Sequence, residues 1–181
     1  MGCVAGAWRP RIGDPDVTGW LTVLAYLLCL VLAVQVWRCL RGRDGRAFWG
    51  LVAGLMLVLA INKQLDLQSA MTALGRCLAQ AQGWYEYRRF VQAGFIAILG
   101  IALLAGLLVG LKALRGRLRQ SGVALVGLAV LCAFVAVRAV GFHHMDALIG
   151  QRQFGVSTNY LFENAGLLLI ALNAIAILRR G

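Results

Sequence analysis

Apolar residues fill this chain in five long blocks, and arginine clusters or Gly- and Gln-rich stretches separate them. A membrane-spanning helix needs about 20 mostly apolar residues to cross a hydrocarbon core of ~30 Å. The first block, 20–37 (WLTVLAYLLCLVLAVQVW), has Trp20 and Trp37 at positions that suit interfacial anchors. The second is purely apolar only from Phe48 to Ile61, so a span over 47–66 must continue through NKQLD. The third, fourth and fifth cover 90–111, 122–142 and 160–178. The pattern predicts an all-α integral membrane protein, a five-transmembrane-helix bundle forming one domain over 20–181 behind a segment 1–19.

Two connections are too long for simple turns. Residues 67–82 (LQSAMTALGRCLAQAQ) set Leu67, Met71, Leu74 and Leu78 at helical spacing among polar residues. That predicts an amphipathic helix on the outer surface, or a prolongation of span two. Residues 144–158 lead to Asn159, an expected helix cap. Within the spans, Gly50/Gly54 and Gly106/Gly110 form G-x-x-x-G pairs, which let helix backbones approach closely. In so Gly-rich a chain they are expected to serve packing within the bundle rather than dimerisation.

Composition supports lipid as the solvent. Of 181 residues, 61% are hydrophobic and 14% charged, more apolar surface than a soluble domain of this size can hide. The net charge of +11 does not point to nucleic acid, because the arginines sit in short loops between apolar runs. There they read as determinants of orientation and as contacts to anionic headgroups. Arg38, Arg41, Arg43, Arg46, Lys112, Arg115, Arg117, Arg119, Arg179 and Arg180 fall on one side with only Asp44 against them. The other side is nearly balanced, so the N-terminus is expected outside and the C-terminus inside. Residues 1–11 (MGCVAGAWRPR) read as neither a cleaved signal peptide nor a myristoylation site. Of the five cysteines, Cys29 and Cys132 lie mid-span as small apolar groups. Cys3 and Cys77 fall on the outer side, where a disulfide between them is admitted rather than expected.

The polar residues inside the spans share one depth. Arg138 lies about one turn below the outer end of span four. Asn62 and Lys63 sit at a similar depth in span two, with Asp66 at its mouth. Glu163 and Asn164 lie about one turn into span five, and Arg88, Arg89 and Gln92 open span three. An unpaired charge at mid-bilayer costs ~2.5–3.5 kcal/mol, and less near the surface, so these groups should pair between helices. Arg138 has no acid in its own helix and is expected to pair with Glu163 or Asp66. Such a layer could fix helix register alone. Alternatively, Asn62, Lys63, Arg88, Arg89, Arg138 and Asn159 could bind a ligand.

A metal reading rests on the run AVRAVGFHHMDALIG (136–150). His143 and Asp146 are three apart and can share a helix face, and Asp66 and Glu163 come from neighbouring spans. With His144 they would offer a divalent metal such as zinc a His/carboxylate set with an open position. On a continuous helix, however, His143 and His144 point about 100° apart, so both ligate only if the helix breaks after Phe142. His143, His144, Asp66 and Glu163 are the catalytic candidates of that reading. Adjacent histidines on one segment do not suit a bis-histidine haem, and no Cys pair or serine elbow supports thiol-redox or serine chemistry.

The runs NKQLDLQ (62–68), GWYEYRR (83–89), RAVGFHHMD (138–146) and NYLFENAG (159–166) resemble a family of small bacterial multi-pass membrane proteins without an assigned activity. The resemblance covers spans two to five. It implies a multi-pass protein of the bacterial plasma (inner) membrane and carries no catalytic motif. Two functional readings stand. One is a scaffold that holds an anionic lipid headgroup, a small anion or another membrane protein's helix at the outer leaflet. The other is a small metal-dependent membrane hydrolase.

Overall fold

The computed structural model describes residues 16–65, 73–75, 77–78, 80–83, 87–140, 152–153 and 156–180; at 88–89, 92, 138–140, 152–153 and 156–159 it describes the backbone alone. Among the described residues five helices are long and apolar enough to cross a membrane: α1 (Val17–Cys39), α2 (Arg46–Leu65), α3 (Arg88–Ala113), α4 (Leu118–Val140) and α5 (Thr158–Leu178). Each expected span thus has its helix, with ends displaced by a few residues. Helix α5 begins at Thr158, directly after a two-residue antiparallel strand pair, β1 (Arg152–Gln153) and β2 (Val156–Ser157). Asn159 therefore lies in the first turn of α5 rather than at its cap, which corrects the sequence expectation. Of the stretch expected to be amphipathic, residues 73–75, 77–78 and 80–81 are helical.

Tight turns join α1 to α2 and α3 to α4. Leu40 N–H donates to the Val36 carbonyl (2.9 Å) and Leu114 N–H to the Gly110 carbonyl (3.0 Å), each closing its helix. Gly45 (φ 85°) and Gly116 (φ 91°) adopt the left-handed backbone that reversals this short require and side-chain-bearing residues resist. Both turns lie at one end of the bundle, termed the base. The opposite end, where α1 and α5 begin and α2 stops, is termed the head.

Packing places α1 between α2 and α5, and α5 between α1 and α4. The helices are apolar all round, yet each of these buries one stripe. In α1 it is Gly19, Thr22, Val23, Tyr26, Cys29, Ala33 and Val36, at the three- and four-residue spacing of a single face. In α2 it is Phe48, Trp49, Val52, Ala53, Met56 and Ala60. Leu21, Leu24, Leu28 and Val31 on the far side of α1 are exposed, as lipid-facing residues are.

Helices α4 and α5 approach closely at a pair of glycines. A Cβ built on Gly127 would stand 2.8 Å from the Gly166 carbonyl oxygen, and one on Gly166 would stand 2.9 Å from that of Gly127. The two backbones are in direct contact. The G-x-x-x-G pairs behave otherwise. Gly50 sits under the Trp37 indole and Gly110 against Leu125, whereas Gly54 and Gly106 have nothing within 4 Å of an added Cβ. Trp37 is accordingly part of the α1–α2 packing. Helix α3 is the peripheral element, resting mainly on α4, with Phe90 (78% exposed), Ile98, Ile101, Leu104 and Val109 facing outward.

Candidate functional site

The charge-bearing node of the head joins α1, α2 and α5. Glu163, one turn into α5, is 4% exposed. Tyr26 O–H donates to its Oε1 at 2.9 Å, and the Lys63 ammonium donates to its Oε2 at 3.0 Å. Tyr26 lies about 13 Å below the start of α1 and is buried, so its hydroxyl takes a protein partner. Lys63 is in the last turn of α2, and its apolar stem lets the ammonium reach inward to the carboxylate.

Further contacts repeat along the α1–α5 seam. Asn164 Nδ2 donates to the Tyr160 carbonyl (2.8 Å) and, longer, to Thr22 Oγ1 (3.5 Å), while Thr22 O–H donates back to the Thr18 carbonyl (2.8 Å). One turn further down from Tyr26, the Cys29 thiol donates to the Leu167 carbonyl at 3.3 Å. Residues 22, 26 and 29 of α1 thus face residues 164, 163 and 167 of α5 respectively, a register that sliding either helix would break.

Energetically the node is a neutral pair in a poorly solvated place. Breaking such a pair by removing one partner typically costs ~3–5 kcal/mol when both groups are fully buried, because a lone charge remains. An intact interhelical hydrogen bond in a membrane adds only ~0.6 kcal/mol on average. The node therefore selects one helix arrangement more than it adds stability.

At the base a second, uncharged set links α2, α4 and α5. The Trp49 indole N–H donates to Ser121 Oγ (3.3 Å), and Asn173 Nδ2 donates to the Gln120 carbonyl (2.9 Å). Trp49 and Ser121 were not singled out by the sequence. Their signal, an indole at the base end of α2 facing a hydroxyl of α4, carries no meaning until the helices are adjacent.

The sequence-predicted residues divide as follows. Lys63, Glu163 and Asn164 come together, and Tyr26, unremarked in the sequence, completes the node. Its only sequence signal is a phenol in the middle of an apolar run. Asn62 lies one residue before Lys63 and is half-buried. Arg88 and Arg89 open α3 and Arg138 lies in the last turn of α4, but their side chains lie outside the described ones. The expected pairing of Arg138 thus lies outside the described side chains, and the two oxygens of Glu163 accept from Tyr26 and Lys63. Asp66, His143, His144 and Asp146 lie outside the described residues, and with them nearly all of the expected metal set. Among the described residues no group of three His, Cys, Asp or Glu side chains converges. Glu163, the described member of that set, already faces an ammonium.

The cysteines also divide. Cys29, Cys39 and Cys132 are free thiols, whereas Cys77 is disulfide-bonded to a partner outside the described residues. Comparison of the chain with family models, curated proteins and solved structures gives no match.

Proposed function

We propose that this is a multi-pass protein of the bacterial plasma membrane, N-terminus outside and C-terminus inside, that acts as a scaffold binding an anionic headgroup at the outer leaflet. Two features support the orientation. The base turns at 40–45 and 114–117 are short and arginine-rich, the setting in which positive charge marks the cytoplasmic side. Cys77, in the connection at the head, is disulfide-bonded, and such bonds persist in oxidising, extracytoplasmic compartments.

The observation that carries the binding reading is the internal neutralisation of Glu163. With Lys63 and Tyr26 on its carboxylate, the charge of the buried acid of the head is balanced within the node. Arg88 and Arg89 open α3, the helix most open to lipid, and Arg138 stands near the end of α4 beside it. Guanidinium forks suit phosphate oxygens, and the aromatic run around Tyr87 suits the interface. The Lys63–Glu163–Tyr26 node is then the rigid support beneath the site.

Lipid retention tests this reading. The purified chain should keep phosphatidylglycerol more tightly than phosphatidylcholine by native mass spectrometry, and Arg88→Ala/Arg89→Ala should weaken that preference by about tenfold. Undiminished preference in the double variant, with the fold intact by circular dichroism, would refute the assignment.

A further inference from the structure

The base carries the densest charge in the molecule, and its geometry is that of a built site rather than a scatter of surface cations. The 40–45 and 114–117 turns abut: the Cβ position of Gly45 lies 3.7 Å from Leu114 Cδ2 and 3.8 Å from Arg117 Cδ. Leu40 and Leu114 are buried beneath them, fixing the two turns side by side. Arg46 is held in place by stacking, its guanidinium carbon 4.7 Å from the centre of the Trp37 ring. Its Nε is buried without a hydrogen-bond partner, a donor that the protein itself leaves unmet. Arg117 is oriented by its Nη1 bond to Gln120 Oε1 at 3.0 Å.

The local electrostatics call for an anion. Helices α2 and α4 both begin here, and neither has an acidic residue in its first turn. The negative ends of α1, α3 and α5 also lie at the base, so the helix dipoles largely offset one another and the excess positive charge is that of the arginines. Among the described residues none of Arg38, Arg41, Arg43, Arg115 or Arg119 takes part in an ion pair, and Asp44 is the one acid nearby.

Length decides what the anion belongs to. Helix α1, from Val17 to Cys39, rises about 33 Å, slightly more than the ~30 Å hydrocarbon core. Turns this short leave the arginine tips within the headgroup layer, out of the reach that a soluble acidic partner would need.

We propose that the paired turns at the base form a binding site for the phosphate of an anionic phospholipid in the adjoining leaflet, with Arg46 and Arg117 as its seat. This site is separate from the headgroup site at the opposite end. Stacking on Trp37 pre-orients Arg46, so its donors meet the phosphate with little loss of side-chain freedom. The remaining arginines supply attraction that salt screens.

The test uses the full chain in detergent micelles doped with phosphatidylglycerol or phosphatidylcholine, reading bound lipid by native mass spectrometry. In an Arg88→Ala/Arg89→Ala background, which leaves the base as the headgroup site, phosphatidylglycerol should be retained preferentially, and adding Arg46→Gln/Arg117→Gln should weaken its binding by about tenfold. Arg179→Gln/Arg180→Gln removes the same charge from the tail and should change it by less than about twofold. Arg46→Lys/Arg117→Lys keeps charge and helix propensity, guards against a folding defect, and should still lose most of the preference because the fork is gone. Equal losses in the seat and tail variants would overturn the site in favour of diffuse charge. Equal affinity for the two lipids would overturn it in favour of a soluble acidic partner. Arg88→Ala/Arg89→Ala, run alongside, reports the head separately, so failure of one site is not read as failure of the other.

Discussion

Substituting alanine at Gly127 tests the close contact between α4 and α5 with a single methyl group. The new Cβ would lie 2.8 Å from the Gly166 carbonyl oxygen, 2.9 Å from Leu169 Cβ and 3.1 Å from Ile170 Cγ1. Carbon atoms pack best at ~3.5–4.0 Å, so helices α4 and α5 must part by roughly 0.6 Å at the crossing. A gap of that size forfeits about a quarter to a half of each dispersion contact. Over some ~30 atom pairs at ~0.15 kcal/mol each, the loss is about 1–2 kcal/mol, in the usual range for overpacking. Alanine is also a better helix former than glycine, by up to ~1 kcal/mol, which offsets part of the loss. Gly54→Ala isolates the packing effect, because nothing lies within 4 Å of its Cβ position. The five tryptophans make thermal unfolding in micelles readable by intrinsic fluorescence. Gly127→Ala should melt about 2–8 °C below Gly54→Ala. Equal or higher melting of Gly127→Ala would refute direct backbone contact between α4 and α5.

Tyr26→Phe removes one donor from Glu163 while keeping the ring, so it should cost ~0.6–1.7 kcal/mol in the same melting assay. Trp49→Phe leaves Ser121 without its donor and a void beside it; the expected loss is ~1–3 kcal/mol, and no loss would remove the α2–α4 link at the base. Thiol titration of the denatured, unreduced chain should count three groups, Cys29, Cys39 and Cys132, and all five cysteines only after reduction. Five thiols before reduction in protein isolated from cells would contradict the disulfide at Cys77.

The spans were legible because length and apolarity alone define them. Their ends shifted where polar residues continue a helix past the apolar run, as Arg119–Ser121 do at the start of α4. Inward faces were not legible. Helices that are apolar all round carry no hydropathic stripe, so shape chooses the buried side. For the same reason the G-x-x-x-G spacing pointed to Gly54 and Gly106, which face open space. The real contact joins lone glycines on different helices, which no spacing within one helix can reveal. The polar layer of the head was legible as a layer, because charged residues in a span are few and costly. Which cation meets Glu163 was not. It is Lys63, whose long stem reaches down from the end of α2. Tyr26 was hidden because a phenol passes as apolar in any count of hydrophobic residues.

The account turns on Glu163 tying α5 to α2 and α1 through Lys63 and Tyr26, and a double-mutant cycle on Lys63 and Glu163 measures that tie directly. Glu163→Gln alone takes the carboxylate away from a part-buried ammonium and should cost ~2–4 kcal/mol, somewhat below the fully buried case because Lys63 is 11% exposed. Lys63→Met alone strands the carboxylate at comparable cost. The double variant, with no charge left to strand, should recover to within about 1 kcal/mol of the parent chain, a coupling well above ~1.5 kcal/mol. Two single losses that simply add in the double variant would mean that the two groups do not meet, and the node would be gone.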